Sequence, residues 1–280
     1  MNTPPVTPTT SVHAKRVRIT WHAHGVADVA LTRGDKMNAL DPAMFSALLA
    51  TIAELKAAPQ LRAVVLHGEG RAFCAGLDMA SFAALGEGAS PVSDLGPRTH
   101  GIANGPQFIA LGWRELAVPV IAAVQGAAYG GGLQLALGAD LRLVAPDTQM
   151  SVMEIKWGLV PDMAGMVLMK SLLRDDVLRE LCFSGRVLGA EDAARLGLAT
   201  RVCADPLAEA HALAAAIAQR SPSAIQAAKR LLNQAAGTLD PPAAALLQAE
   251  SNEQSALIAG PHQREAVLAN LQKRAPRFEP

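Results

Sequence analysis

The chain has 280 residues, enough for one large domain or for a domain with a smaller helical appendage. Half of it is hydrophobic, yet it has only three Trp, one Tyr and six Phe, so aliphatic side chains and alanine must fill the core. Lys plus Arg and Asp plus Glu each number 25, a balance that speaks against wrapping nucleic acid but not against holding one small anionic ligand.

The opening MNTPPVTPTTSVHAKR is rich in Pro and Thr and lacks an apolar run, which predicts a disordered tail over 1–14 rather than a targeting signal. Residues 16–33 alternate apolar and polar and break near Gly25, as a β-hairpin does. GDKMNALDP follows, then the periodic run 43–56, a helix with Asp41 as N-cap and Pro42 at its first position. Short buried strands are expected at 62–70, 119–126 and 141–146. Between them, residues 84–106 collect Gly, Ser, Pro and Asn without periodicity and read as a long loop of the kind that covers sites. Beyond Asp205 the chain is helical over roughly 207–219, 222–236, 241–258 and 262–273, with Ser221-Pro222 and Asp240-Pro241 as two cap-plus-proline starts. These helices are apolar on more than one face, which favours packing against other subunits. The fold class is α/β, organised as a tail over 1–14, a core over 15–204 and a helical oligomerisation region over 205–280.

Cys74, Cys182 and Cys203 show no CxxC spacing and cannot pair completely, so they read as reduced thiols of a cytoplasmic protein. No apolar stretch reaches the length of a membrane span. His22 and His24 sit at strand spacing, but no Cys or carboxylate cluster adjoins them to complete a metal site, so an ordinary hairpin face is preferred. There is no GxSxG, P-loop or Rossmann fingerprint, which leaves serine hydrolase, phosphoryl transfer and nicotinamide chemistry without support.

Two segments share one design of buried strand, glycine turn and helix start. VVLHGEG leads into RAFCAGLDM (71–79), and VIAAVQG leads into AAYGGGLQLAL (127–137). Either alone is ordinary turn punctuation. Together they offer two sets of unpaired N–H groups, and two such donors converging on one carbonyl oxygen make an oxyanion hole.

These segments resemble the two oxyanion motifs of the crotonase (enoyl-CoA hydratase/isomerase) superfamily. RGDKMNAL resembles the family's early CoA-contacting turn, and SGRVLGAEDAARLGLATRV and SPSAIQAAKRLL its later helical stretch. The matches run in order over about residues 16 to 278. The resemblance implies a crotonase-like core of repeated ββα units with a helical C-terminal region, acting on an acyl-CoA thioester. It places the oxyanion amides at Leu77 and Gly131. It puts Lys36, Met37, Ala75, Asp78 and Gly130 at the substrate, with Lys273 and Arg274 as candidates for CoA phosphate, although a solvated helix end accounts for those two equally well. It implies a homotrimer or a dimer of trimers, and no metal or redox cofactor, with CoA arriving as part of the substrate.

The acid/base residues are where the sequence becomes selective. The family's hydratases use two glutamates, and at those positions this chain has Gln134 and Glu154. An amide orients water but does not exchange protons usefully near neutral pH. Asp162 stands eight residues after Glu154, the spacing of the second carboxylate in the family's dienoyl-CoA isomerases, which carry an aspartate where Gln134 stands here. The plainer reading of Asp162 is a helix N-cap. The sequence therefore favours enoyl- or dienoyl-CoA isomerisation with Glu154 and Asp162 moving protons, over hydration by Glu154 alone, thioester hydrolysis, or a non-catalytic acyl-CoA or RNA binder. Phe82, Phe108 and Trp113 are candidates for shaping an acyl pocket.

Overall fold

A computed structural model describes residues 9–78 and 94–278. Val17–Trp21 (β2) runs back antiparallel onto Val26–Leu31 (β3) around a tight turn at Ala23–Gly25, which is the hairpin expected over 16–33. From β3 the sheet continues in parallel through Ala63–Gly68 (β4), Val120–Val124 (β5), Leu141–Val144 (β7) and Arg201–Val202 (β10). Parallel neighbours need crossovers, and helices such as Pro42–Lys56 and Gly105–Glu115 lie within them.

The central strands are buried on both faces, which is why they read as continuous apolar runs rather than alternating ones. Val64, Leu66, Val120, Ala122 and Val124 point into the larger core. Their alternates, Ala63, Val65, Ile121 and Ala123, face a second layer covered by Ala210, Ala214 and Ala218 of the helix Pro206–Ala218. Small alanines on that face let the helix lie close to the sheet. The larger core also takes in Ala243 and Leu247 of the helix Pro241–Leu257. The helices Pro206–Ala218 and Pro241–Leu257 thus share the core of the sheet.

Three elements depart from the sequence reading. Thr10–His13 (β1), placed in the tail, pairs with β2, and Ser11 and His13 each reach Glu54 at 2.8 Å. Its Pro/Thr-rich composition hid a strand secured by those two side chains; residues 1–8 lie outside the described residues. The expected loop gives way to a helix at Gly105–Glu115, started by a capping box between Asn104 and Gln107. Residues 84–93 of that loop, with Phe82, lie outside the described residues. Finally, Ala127–Tyr129 (β6), Gln149–Ser151 (β8) and Leu188–Gly189 (β9) form a small second sheet. Its strands are too short to leave a periodic signal.

The helix boundaries at the C-terminal end follow the caps. Asp205, Ser221 and Asp240 each accept a backbone N–H three residues on, and the helices run Pro206–Ala218, Pro222–Ala236, Pro241–Leu257 and Pro261–Leu271. Leu231 and Leu232 are exposed on the second of them. No helix among the described residues is long and apolar enough to cross a membrane.

Candidate active site

The small second sheet positions the site. β6 and β8 pair in parallel, Tyr129 opposite Ser151, and the Gly130 N–H donates to Ser151 O at 3.0 Å. One strand then delivers Gly130 and the helix Gly131–Gly138, and the other delivers Glu154 three residues after Ser151. The first glycine turn lies alongside: the Cys74 N–H donates to Ala127 O, and the Tyr129 N–H returns to Cys74 O. The two turns singled out in the sequence are thereby stitched side by side.

Two glycines in this arrangement are required by the geometry. Gly76 has φ +87, and a Cβ there would stand 2.6 Å from Tyr129 O and 3.7 Å from Gly131 N. Gly130 has φ 50 and ψ −121, and a Cβ on it would meet Glu154 Oε1 at 3.1 Å. Leu77 and Gly131 both line one cleft with Ala75, Gly130, Gln134, Glu154 and Asp162. Gly131 is the first residue of its helix, so its N–H has no carbonyl one turn behind it inside the helix. Apolar walls come from Phe45, Leu95, Trp157, Leu159, Met163 and Ile258.

Glu154 is buried against this cleft. Gln134 Nε2 donates to Glu154 Oε1 at 2.7 Å, while Gln134 Oε1 accepts the Met163 N–H at 2.8 Å. The second bond settles which end of the amide faces Glu154: Gln134 presents its NH2 there and acts as a donor only. Glu154 Oε2 has no hydrogen-bond partner among the described residues. Burial pushes the Glu154 carboxyl up to about 7, against the opposing pull of its own backbone N–H and of Gln134. Asp162 is likewise pushed up to about 7, by burial and then by the negative charge of Glu154. It is not the N-cap of the following helix, because that helix starts at Gly165 with Ala164 as its cap.

Glu250 and Gln254 were not found from the sequence. Both lie on the helix Pro241–Leu257 and reach the segment that carries Asp162. Gln254 Nε2 donates to Asp162 Oδ1 at 3.1 Å and its Oε1 accepts the Val160 N–H at 3.0 Å. Glu250 accepts the Ala164 and Met166 N–H groups, each at 3.0 Å, and Gln107 Nε2 at 3.1 Å. Its carboxyl is pushed up to about 8 by burial and then by Asp162. The available signal was phase: Glu250 and Gln254 fall on the buried face of the helix with Ala243 and Leu247, where apolar residues belong. Asn38, also missed, is fully buried and ties the early turn to the first glycine segment by donating to Glu69 O and Ala72 O at 2.9 Å.

The remaining predicted residues divide. Met37 takes φ 50, and its carbonyl accepts the Ala75 N–H at 2.9 Å, so the Lys36–Met37 turn adjoins the site. Asp78 accepts Arg33 Nη1 at 2.7 Å in an ion pair. Arg274 pairs with Glu265 at 2.6 Å, and neither it nor Lys273 lines the cleft. Phe108 and Trp113 are core residues of the Gly105–Glu115 helix rather than pocket walls; the helix that the sequence reading missed turns them inward. Cys74, inside the first turn, is fully buried, and burial pushes its thiol up to about 12, which disfavours the thiolate that a nucleophile needs.

Comparison with known proteins follows the same lines. The family model described as "Enoyl-CoA hydratase/isomerase" matches residues 22–280. Carnitinyl-CoA dehydratases of Shigella flexneri and of Escherichia coli K12 are each 34% identical over 209 residues, covering 74% of this chain and 76% of theirs. Among solved structures, carnitinyl-CoA hydratase from Mycobacterium avium superposes with a TM-score of 0.80 at 28% identity, covering 95% of this chain and 98% of its own. An enoyl-CoA hydratase/isomerase from Mycobacterium paratuberculosis gives a TM-score of 0.79 at 27% identity over 91% and 98%. With its crotonase fold, the chain belongs to the enoyl-CoA hydratase/isomerase family.

Proposed function

We propose that this chain interconverts a β-hydroxyacyl-CoA and its 2-enoyl-CoA, with Glu154 as the single acid/base. The observation that carries this reading is the asymmetry of one carboxyl in the cleft beside the glycine turns: Oε1 is held by Gln134, and Oε2 has no partner among the described residues. The Leu77 and Gly131 N–H groups receive the thioester oxygen. Charge flowing onto that oxygen acidifies the α-carbon. Glu154 Oε2 takes the α-proton as the enolate forms. When the enolate collapses, the β-C–O bond breaks and the same proton goes to the departing hydroxyl, which leaves as water. Hydration is the reverse, and a group titrating near 7 serves both directions.

Gln134 exchanges no proton in this scheme; it aims Glu154 and favours its ionised form. The dehydratase and hydratase names of the relatives support the reading, and they move isomerisation, favoured from sequence, to second place. Isomerisation retains one specific support: Asp162 is a second carboxyl in the same cleft, also raised to about 7, and it suits a proton returned at a more distant carbon. The exposed Leu231 and Leu232 support association of this chain with further copies through its C-terminal helices.

The test is an ultraviolet time course on parallel substrates. Loss of the conjugated absorbance of a 2-enoyl-CoA, or its gain from carnitinyl-CoA or another β-hydroxyacyl-CoA, is expected. A spectral shift with an unconjugated enoyl- or dienoyl-CoA and none with the first set would replace this reading with isomerisation. Release of free thiol alone would replace it with hydrolysis.

A further inference from the structure

Away from the acyl-CoA cleft, three histidines surround one carboxylate. Asp28 lies on β3, His67 on β4, His211 on the helix Pro206–Ala218 and His22 just beyond β2. Asp28 Oδ2 is 2.9 Å from His211 Nε2, and His67 Nε2 is 3.1 Å from both Asp28 oxygens. The rings of His22 and His211 meet edge to face with centroids 5.2 Å apart. None of the four residues lines the cleft.

We propose that His22, Asp28 and His211 form a binding site for a divalent transition-metal ion of the zinc type. One donor atom from each residue lies within 4.8 Å of the others. Around a tetrahedral zinc with bonds of about 2.0–2.1 Å, neighbouring donors stand roughly 3.3 Å apart. Closing the set therefore needs only side-chain adjustment, with the exposed His22 ring moving from its edge-to-face contact with His211. The other donors are fixed by the fold. Asp28 is buried, held in register opposite Thr20 and Val65 by the sheet, and His211 comes from the helix whose alanines pack on that sheet.

His67 completes the arrangement as an outer partner. Its Nε2 stands 3.1 Å from both Asp28 oxygens and donates to the carboxylate, holding it in place in the manner of supporting residues around metal centres, while the ion would take the place of the His211 contact at Oδ2. One carboxylate and two neutral imidazoles give a borderline-soft set with a fourth position open to water. That set suits zinc, cobalt or nickel over calcium or magnesium, which prefer oxygen. His24, the neighbour suggested by strand spacing, is not part of it, because it occupies the turn itself at φ 60. The donors come from positions 22, 28 and 211, so no spacing motif announces them.

Calorimetric titration of zinc chloride into the metal-stripped, tag-free full chain tests the proposal, with cobalt as a spectroscopic substitute. One equivalent per chain and the visible d–d bands of tetrahedral cobalt are expected. His22→Ala and His211→Ala should each weaken binding at least tenfold, and His22→Ala, at an exposed position, should leave melting without metal unchanged. Absence of saturable one-to-one binding in the unaltered chain, or full affinity in His22→Ala, would overturn it and leave the cluster as an ion-paired support for Asp28.

Discussion

Gln134 and Glu154 form a directed pair: the amide donates to Oε1 at 2.7 Å and is prevented from turning over by the Met163 N–H on its oxygen. That one bond occupies Oε1 and leaves Oε2 without a partner among the described residues. It also restrains the rise in affinity for a proton that burial imposes on Glu154.

Removing the pair should move the pH profile as well as the rate. In the dehydration direction Glu154 must be ionised, so kcat/KM should rise with pH through a midpoint near 7. Gln134→Ala deletes a donor that favours the charged form, so the midpoint should move upward. It also leaves the buried Met163 N–H unpaired, at a cost of about 1–3 kcal/mol in stability. A pH–rate profile of both proteins, alongside thermal melts, checks this; a limb at the ordinary carboxylate range, near 4.5, would refute it.

Gly130→Ala should lower kcat sharply with a smaller effect on substrate affinity. The backbone there is in a region that costs a side chain on the order of 1–3 kcal/mol, and the new methyl would press on Glu154 Oε1. Steady-state kinetics on the variant, with circular dichroism to confirm folding, give the measurement. Ordinary turnover would mean that Glu154 is not where the chemistry occurs.

The three buried carboxyls Glu154, Asp162 and Glu250 make stability depend on pH in an unusual direction. Each holds its proton more tightly in the fold than at its ordinary value of 4.5, 3.8 and 4.5. Their contribution is fully present below about pH 4 and is lost as pH rises through 7 to 8. Glu250→Gln removes one member, so the fall in melting temperature between pH 5 and 8 should be shallower in the variant. At pH 5 it should be the less stable protein, because the Ala164 and Met166 N–H groups bond different oxygens, and in the amide one of these becomes an NH2 that cannot accept. Melting curves across that range for both proteins test this, and parallel curves would contradict it.

Where burial followed period and caps, the sequence was readable. Asp41, Ser221 and Asp240 each start the helix that their residue type and the following proline announce. The two glycine turns were legible as well, because the backbone needs Gly76 and Gly130 whatever surrounds them. The tethering of Asp162 was not legible. It depends on Gln254, 92 residues away, and on Glu250, and a local reading of VPDMAG offers an N-cap instead. The role of Gln134 was half legible: the sequence shows an amide where a carboxylate would serve as base, but only the Met163 N–H fixes which way it faces. Phe108 and Trp113 went astray because a capping box at Asn104 starts a helix where the expected loop over 84–106 ends, and that helix draws both rings into the core.

The most direct test of the account is turnover of a 2-enoyl-CoA by Glu154→Gln, measured together with acyl-CoA affinity. The substitution keeps the volume and an acceptor for Gln134 while removing the group that takes and returns the proton. A fall of roughly 10²–10⁴-fold in kcat with nearly unchanged affinity is predicted. Turnover within a few-fold of the unaltered chain would show that the proton moves elsewhere and contradict the account.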